Sequence, residues 1–263
     1  MQLVLCETPE ETGARAAAIM TRRVRAGACV LGLATGSSPI PVYDELIRCH
    51  RDEGLSFAQC SAFTLDEYVG LDPEDSRSYR ATIRDVFADH VDLPPGALHS
   101  PRVSNQDVHA LLAAAREYDE QIAGSGGVDV QLLGIGGNGH IGFNEPSSSL
   151  RSRTRIKVLT QQTRDDNARF FEADETVPTL CVTQGLGTIL DSRHAVLVAQ
   201  GEGKAEAIAA AVEGPVSAGC PASVLQLHPH ATVILDAGAA SRLRNLDYYR
   251  HTQKLTEELG LLP

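Results

Sequence analysis

The chain has 263 residues, 43% hydrophobic and 22% charged, with no low-complexity tract, so it has the length and composition to bury a substantial core. Its formal net charge of −11 speaks against nonspecific binding to nucleic acid or to an anionic membrane. Six cysteines without a C-x-x-C pair, no signal-peptide pattern and no apolar segment near the roughly 20 residues of a membrane span predict a cytoplasmic protein without a disulfide framework or zinc site.

Strand-like and helical patterns then alternate from end to end. Apolar runs predict strands at residues 3–6, 28–33, 59–65, 128–133, 195–199 and 232–235, and helical spacing covers 10–25, 42–52, 78–88, 107–122, 204–212 and 248–258. Such alternation predicts an α/β fold, a Rossmann-like and mostly parallel sheet with helices on both faces. We expect one domain over 1–263.

Three strand ends carry chemistry. After the second strand comes Ala34-Thr35-Gly36-Ser37-Ser38-Pro39, followed by a helix. Backbone N–H groups and hydroxyls at such a helix start hold phosphate well, although Ser37 or Ser38 capping the helix reads equally well from this segment alone. After the third strand, Asp66 and Glu67 place adjacent carboxylates, a candidate base or a turn former. The fourth strand ends in Gly134-Ile-Gly-Gly-Asn-Gly-His140-Ile-Gly-Phe-Asn-Glu145-Pro146. These glycines spell G-x-G-x-x-G, but they lead into loop residues, and no Asp or Glu lies between Glu145 and Asp165 to hold a ribose, so a dinucleotide is rejected. His140 and Glu145 instead suggest proton transfer on a small polar substrate. In a parallel sheet the three ends share one rim. Beyond them, Arg151, Arg153, Arg155 and Lys157 form a basic cluster, and His228-Pro229-His230 lacks a third metal ligand and reads as structural.

The ordered set Leu33-Ala-Thr-Gly-Ser-Ser-Pro39, Asp66-Glu-Tyr-Val-Gly-Leu71, Gly139-His-Ile-Gly-Phe-Asn-Glu-Pro146, Ser152-Arg-Thr-Arg-Ile-Lys157, Asn167-Ala-Arg-Phe-Phe171, Ala211-Val-Glu-Gly214 and Leu225-Gln-Leu-His-Pro229 resembles the glucosamine-6-phosphate deaminase family. The resemblance covers nearly the whole chain, and Glu145 favours it over the related 6-phosphogluconolactonases. It implies conversion of D-glucosamine 6-phosphate and water to D-fructose 6-phosphate and ammonia, with neither cofactor nor metal. His140, partnered by Glu145, would open the sugar ring, and Asp66 would carry a proton from C2 to C1. Asn138 stands where some members have Asp, and an amide there orients His140 or the substrate without accepting a proton. The phosphate would sit on Thr35, Gly36, Ser37 and Ser38 with Arg169 and Lys204 as cations, under a lid at about 160–178. The resemblance further implies a homo-oligomer, hexameric in some members, and an allosteric site matching Ser148, Arg155, Lys157 and Tyr248, although Val158 replaces a hydroxyl residue of activated members. The alternatives are a lactonase of the same fold and a non-enzymatic sugar-phosphate sensor.

Overall fold

The computed structural model describes residues 1–104, 106–168, 171 and 175–260. Six parallel strands arise where the apolar runs predict them: β1 (Gln2–Leu5), β2 (Cys29–Leu33), β3 (Cys60–Thr64), β6 (Val130–Leu133), β9 (His194–Ala199) and β10 (Ala231–Leu235). With the two-residue β5 (Leu98–His99) they form a sheet ordered β1-β10-β9-β6-β2-β3-β5, in which every recorded pairing is parallel.

Successive side chains of a strand leave on opposite faces, and the core divides accordingly. Val196, Val198 and Ile234 join one apolar cluster with Ala16, Met20 and Leu46, contributed by α1 (Pro9–Arg25) and α2 (Ile40–Glu53). Their neighbours Leu197, Val233 and Leu235 join the other, with Ala207, Ile208 and Ala211 of α7 (Ala205–Val212). The fold is therefore Rossmann-like, helices on both faces, as the sequence predicts. The remaining foreseen helices are α3 (Tyr79–Val86), α4 (Val108–Gly124) and α9 (Leu246–Glu258).

A second, three-stranded sheet was not legible in the sequence. It is antiparallel, ordered β4 (Asp66–Tyr68), β8 (Leu180–Thr183), β7 (Arg155–Val158), with Asp66 opposite Thr183 and Arg155 opposite the same residue on the other side. Short helices α5 (Gln161–Asn167), α6 (Leu186–Leu190) and α8 (Ala237–Ala240) complete the set. The consequence for function is positional: β6, β2 and β3 are adjacent in the large sheet, so the three chemistry-bearing strand ends meet at one rim, and the small sheet continues from the last of them.

Among the described residues no helix is long and apolar enough to cross a membrane, and no group of three or more His, Cys, Asp or Glu is arranged to hold a metal ion. His228 has a structural setting: it is buried, its Nε2 lies 2.8 Å from the Ser192 carbonyl, and its Nδ1 accepts the His230 N–H at 2.9 Å.

Candidate active site

A cavity of about 630 Å³ opens at that rim, lined from β2 by Thr35 to Ser38, from β3 by Asp66, from β6 by Gly134 to Gly137 and His140, and from α7's approach by Lys204. The turn after β2 does not cap the helix that follows it. Helix α2 has Pro39 at its N-cap with no side-chain hydrogen bond, so neither serine caps it, and its first turn carries no acidic residue. Lys204 ends a 3-10 turn (Glu202–Lys204) immediately before α7 and faces the same space. Hydroxyls, backbone N–H groups and an ammonium thus converge as an anion would require.

Asp66 and Glu67 are adjacent, both buried, and have different surroundings. Glu67 turns away from the cavity and accepts N–H bonds from Tyr68 (3.0 Å), Tyr79 (2.9 Å) and Arg80 (2.9 Å), the last two in the first turn of α3. It anchors a helix start. Asp66 faces the cavity, and burial, then the charge of Glu67, raises its carboxyl from the ordinary 3.8 to about 8, with the Phe143 N–H offsetting part of the rise. Gly142, at φ +53°, passes so near that a Cβ there would sit 3.3 Å from Asp66 Oδ2.

His140 is held from the opposite side. Asn138 donates from Nδ2 to Glu145 Oε2 at 2.8 Å, which turns its carbonyl oxygen to His140, 2.7 Å from Nδ1 and 3.2 Å from the backbone N. A carboxylate cannot donate, so the amide orientation is fixed; an amide oxygen only accepts, so Nδ1 carries the hydrogen and Nε2 is left as an acceptor. Glu145 Oε2 also lies 3.5 Å from Nδ1. The imidazole rests where Gly136 leaves room, since a Cβ on that residue would fall 2.1 Å from the ring. That is the physical use of one of the glycines that mimic a dinucleotide fingerprint.

Glu145 is 3% exposed, and burial alone would raise its carboxyl. Hydrogen bonds from His140, Thr163 and Asn138 outweigh that and hold it at about 2. Thr163 and Thr160 were not foreseen. Thr160 caps α5 through a bond from the Thr163 N–H at 3.2 Å, its hydroxyl lies 3.3 Å from Glu145 Oε1, and the Thr163 hydroxyl donates to the same oxygen. The signal available was the Thr160 N-cap pattern. From the same helix Asn167 donates to Tyr68 Oη at 3.0 Å, and Tyr68, Tyr79 and Phe143 form an aromatic wall of the cavity.

Of the residues expected from the sequence, Thr35, Gly36, Ser37, Ser38, Asp66, His140 and Lys204 line one cavity, while Asn138 and Glu145 stand behind His140. Arg169 lies outside the described residues. Ser148, Arg155 and Lys157 lie elsewhere: Arg155 and Lys157 are alternate residues of β7, and Arg155 Nη1 donates to Asn144 Oδ1 at 2.8 Å. Tyr248, on α9, is not brought to them. It lines a separate cavity with Met1, His194 and His230.

A helix-start anion cradle, a buried carboxylate and a carboxylate-backed histidine around one cavity define an α/β enzyme site for a small phosphorylated molecule. The chain belongs to the family described as glucosamine-6-phosphate isomerases/6-phosphogluconolactonase, whose sequence profile matches residues 7–234. It is 56% identical to a glucosamine-6-phosphate deaminase of Rhodococcus opacus (strain B4) over 251 residues, 95% of this chain and 96% of that one. It is also 56% identical to one of Arthrobacter sp. (strain FB24) over 253 residues, 96% of each. A solved structure described as a monomeric glucosamine-6-phosphate deaminase superposes with a TM-score of 0.88 at 42% identity, covering 92% of this chain and all of that one. A 6-phosphogluconolactonase from Trypanosoma cruzi shares the fold, with a TM-score of 0.71 at 18% identity over 92% of this chain and 97% of its own.

Proposed function

We propose that this enzyme converts D-glucosamine 6-phosphate and water to D-fructose 6-phosphate and ammonia. The observation that carries the reading is the opening of Asp66 and His140 onto the same cavity as the Thr35 to Ser38 turn. A phosphate held on that turn and by Lys204, with Arg169 as a further cation, leaves the other end of a hexose between the carboxylate and the imidazole.

The chemistry follows from the protonation states. Nε2 of His140 takes the proton of the anomeric hydroxyl and returns one to the ring oxygen, opening the ring, while Asn138 and Glu145 hold the ring's orientation and stabilise its charged form. The aldehyde acidifies the C2 hydrogen, and Asp66 moves that proton to C1, while one proton of the ammonium passes to O1 to leave a C1 hydroxymethyl group and a C2 iminium. A carboxyl at about 8 is a poor base at neutral pH in the free enzyme, but the ammonium of the bound amino sugar supplies the opposite charge that draws it back down. The C2 iminium adds water and releases ammonia. We read the chain as one domain, 1–263, with the segment 160–178 as a lid, α5 of which reaches the site through bonds from Thr163 to Glu145 and from Asn167 to Tyr68.

Ser148, Arg155 and Lys157 form a second, regulatory anion site. Ser148 Oγ and Arg155 Nη2 are buried with no hydrogen-bond partner among the described residues, the condition of donors awaiting a ligand. Tyr248 joins that site only from another copy of the chain, since within one chain it lines a different cavity, so regulation there goes with homo-oligomer formation in the cytoplasm. Light scattering on the purified protein checks the assembly: a monomer would remove Tyr248 from the regulatory site.

The deciding experiment for the activity is ammonia release from glucosamine 6-phosphate with equimolar fructose 6-phosphate. Hydrolysis of 6-phosphogluconolactone without ammonia would replace the reading by the lactonase, and binding of the sugar phosphate without turnover would replace it by a sensor.

A further inference from the structure

We infer that Thr163 is a positioning residue for His140, acting through Glu145. The inference rests on the deaminase reading above. Glu145 has two carboxylate oxygens with separate duties: Oε2 faces Asn138 and His140, and Oε1 faces the Thr163 hydroxyl, with the Thr160 hydroxyl 3.3 Å away. Thr163 is 3% exposed and lies in the first turn of α5, fixed by the Thr160 cap. It is therefore both ordered and dry, the setting in which a hydrogen bond to a charged group is strongest.

Without the Thr163 donor Oε1 keeps only the longer contact from the Thr160 hydroxyl, so the carboxylate is less restrained about its terminal bond and can turn toward the Asn138 amide. Asn138 is exposed and its carbonyl is what fixes the His140 tautomer, so a displaced amide loosens the base itself. The groups facing Glu145 from the surrounding elements are His140 and Asn138 of its own loop, Thr160 and Thr163 of α5, and the Cys181 thiol of β8, which burial keeps protonated. Of these, Thr160 and Thr163 touch only the oxygen remote from His140, and Thr163, the nearer of the two, is the buried one. Through it the placement of α5, which also reaches Tyr68 at the cavity wall, is linked to the histidine.

The test is a double-mutant cycle on glucosamine 6-phosphate turnover with Thr163→Val, Thr163→Ser, Glu145→Gln and the Thr163→Val/Glu145→Gln pair. Thr163→Val should lower kcat by about 10-fold with KM within about twofold, and Thr163→Ser should recover most of the loss because it keeps the hydroxyl. In the Glu145→Gln background Thr163→Val should add less than about a twofold loss. Thr163→Ala gives the same comparison if the valine variant folds poorly. Wild-type turnover in both Thr163→Val and Thr163→Ala, an undiminished loss in the Glu145→Gln background, or a serine variant as impaired as the valine one overturns the inference. Unchanged turnover in Glu145→Gln overturns the inference alone, whereas a wild-type enzyme that releases no ammonia from glucosamine 6-phosphate overturns the functional reading on which it rests.

Discussion

Asp66 and Glu145 occupy two pockets of the same rim, and both are almost fully buried, at 4% and 3% exposure. Yet one carboxyl is raised to about 8 and the other held at about 2. Burial pushes both upward, more strongly at Asp66, so the fall at Glu145 needs another cause. The difference is the company each keeps. Glu145 collects an amide, a hydroxyl and an imidazole, whereas Asp66 has Glu67 as a like-charged neighbour and the Phe143 backbone N–H as its favourable partner. A carboxylate saturated with donors is a fixed charge that orients a neighbour, and one deprived of them is a proton carrier awaiting a partner. In the proposed reaction the substrate's ammonium would supply what the Asp66 pocket lacks.

Breaking the Asp66 side should have the largest effect. Asp66→Asn keeps shape and the bond from Phe143 but removes the base, and turnover should fall by about 10²- to 10⁴-fold with little change in KM, as measured by ammonia release. Near-normal turnover would remove Asp66 from the C2-to-C1 transfer. In the wild-type enzyme kcat/KM, which reports the free protein, should fall as pH drops through about 8, while the corresponding limb of kcat lies lower because bound substrate favours the carboxylate. The same group contributes to stability with a definite sign. Its folded pKa is raised, so between about 3.8 and 8 the native state keeps a proton that the unfolded chain has lost, and stability declines as pH rises through that window. Thermal melts of Asp66→Asn should therefore match the wild type near pH 4 and exceed it by a margin that widens to pH 8 and is constant above. A constant margin across the range would mean the carboxyl is not titrating there.

The Glu145 pocket gives a smaller effect and sharpens the contrast. Glu145→Gln keeps the volume but must present an NH₂ group to one of its donors, either Asn138 Nδ2 or the Thr163 hydroxyl. Loss of one charged hydrogen bond and of the countercharge for His140 should cost about 10- to 100-fold in turnover of the cyclic sugar. His140→Gln should match it. Ring opening at the wild-type rate in His140→Gln, followed by anomer exchange, would show that the imidazole is not the proton shuttle.

How much of this contrast was readable beforehand differs by element. The long parallel strands and their shared rim follow from apolar runs bounded by turn residues, and with them the meeting of residues 35–38, 66 and 140. The small antiparallel sheet was hidden because β4 is three residues long within a turn-like stretch and β7 alternates charge with apolar residues. Helix α5, Gln161-Gln-Thr-Arg-Asp-Asp-Asn167, has no apolar stripe to give a period, so Thr163 carried no signal beyond the cap at Thr160. Nor do residue type and spacing separate Asp66 from Glu67; in the sequence only the family resemblance does. Its physical basis is that α3 begins against Glu67, a tertiary fact. For the turn at Ala34 to Pro39 the sequence left cradle and cap open, and the cap geometry at Pro39 removes the second.

The smallest effect is expected where neither carboxylate is touched. Ser37 and Lys204 line the same cavity, so in the proposed phosphate site Ser37→Ala would remove one of several contacts. Water can replace one hydroxyl among several donors, so the loss should stay at the low end for a hydrogen bond to a charged group, about 1.5 kcal/mol, or roughly a 10-fold rise in KM. Because the phosphate is remote from C1 and C2 and is held equally before and during proton transfer, kcat should stay within about twofold, the signature of uniform binding. The same substitution should leave the pH limb set by Asp66 in place, since no bond connects the serine to that carboxyl among the described residues. A large fall in kcat, or a displaced limb, would show that the turn shapes the Asp66 pocket and does not merely hold the far end of the sugar.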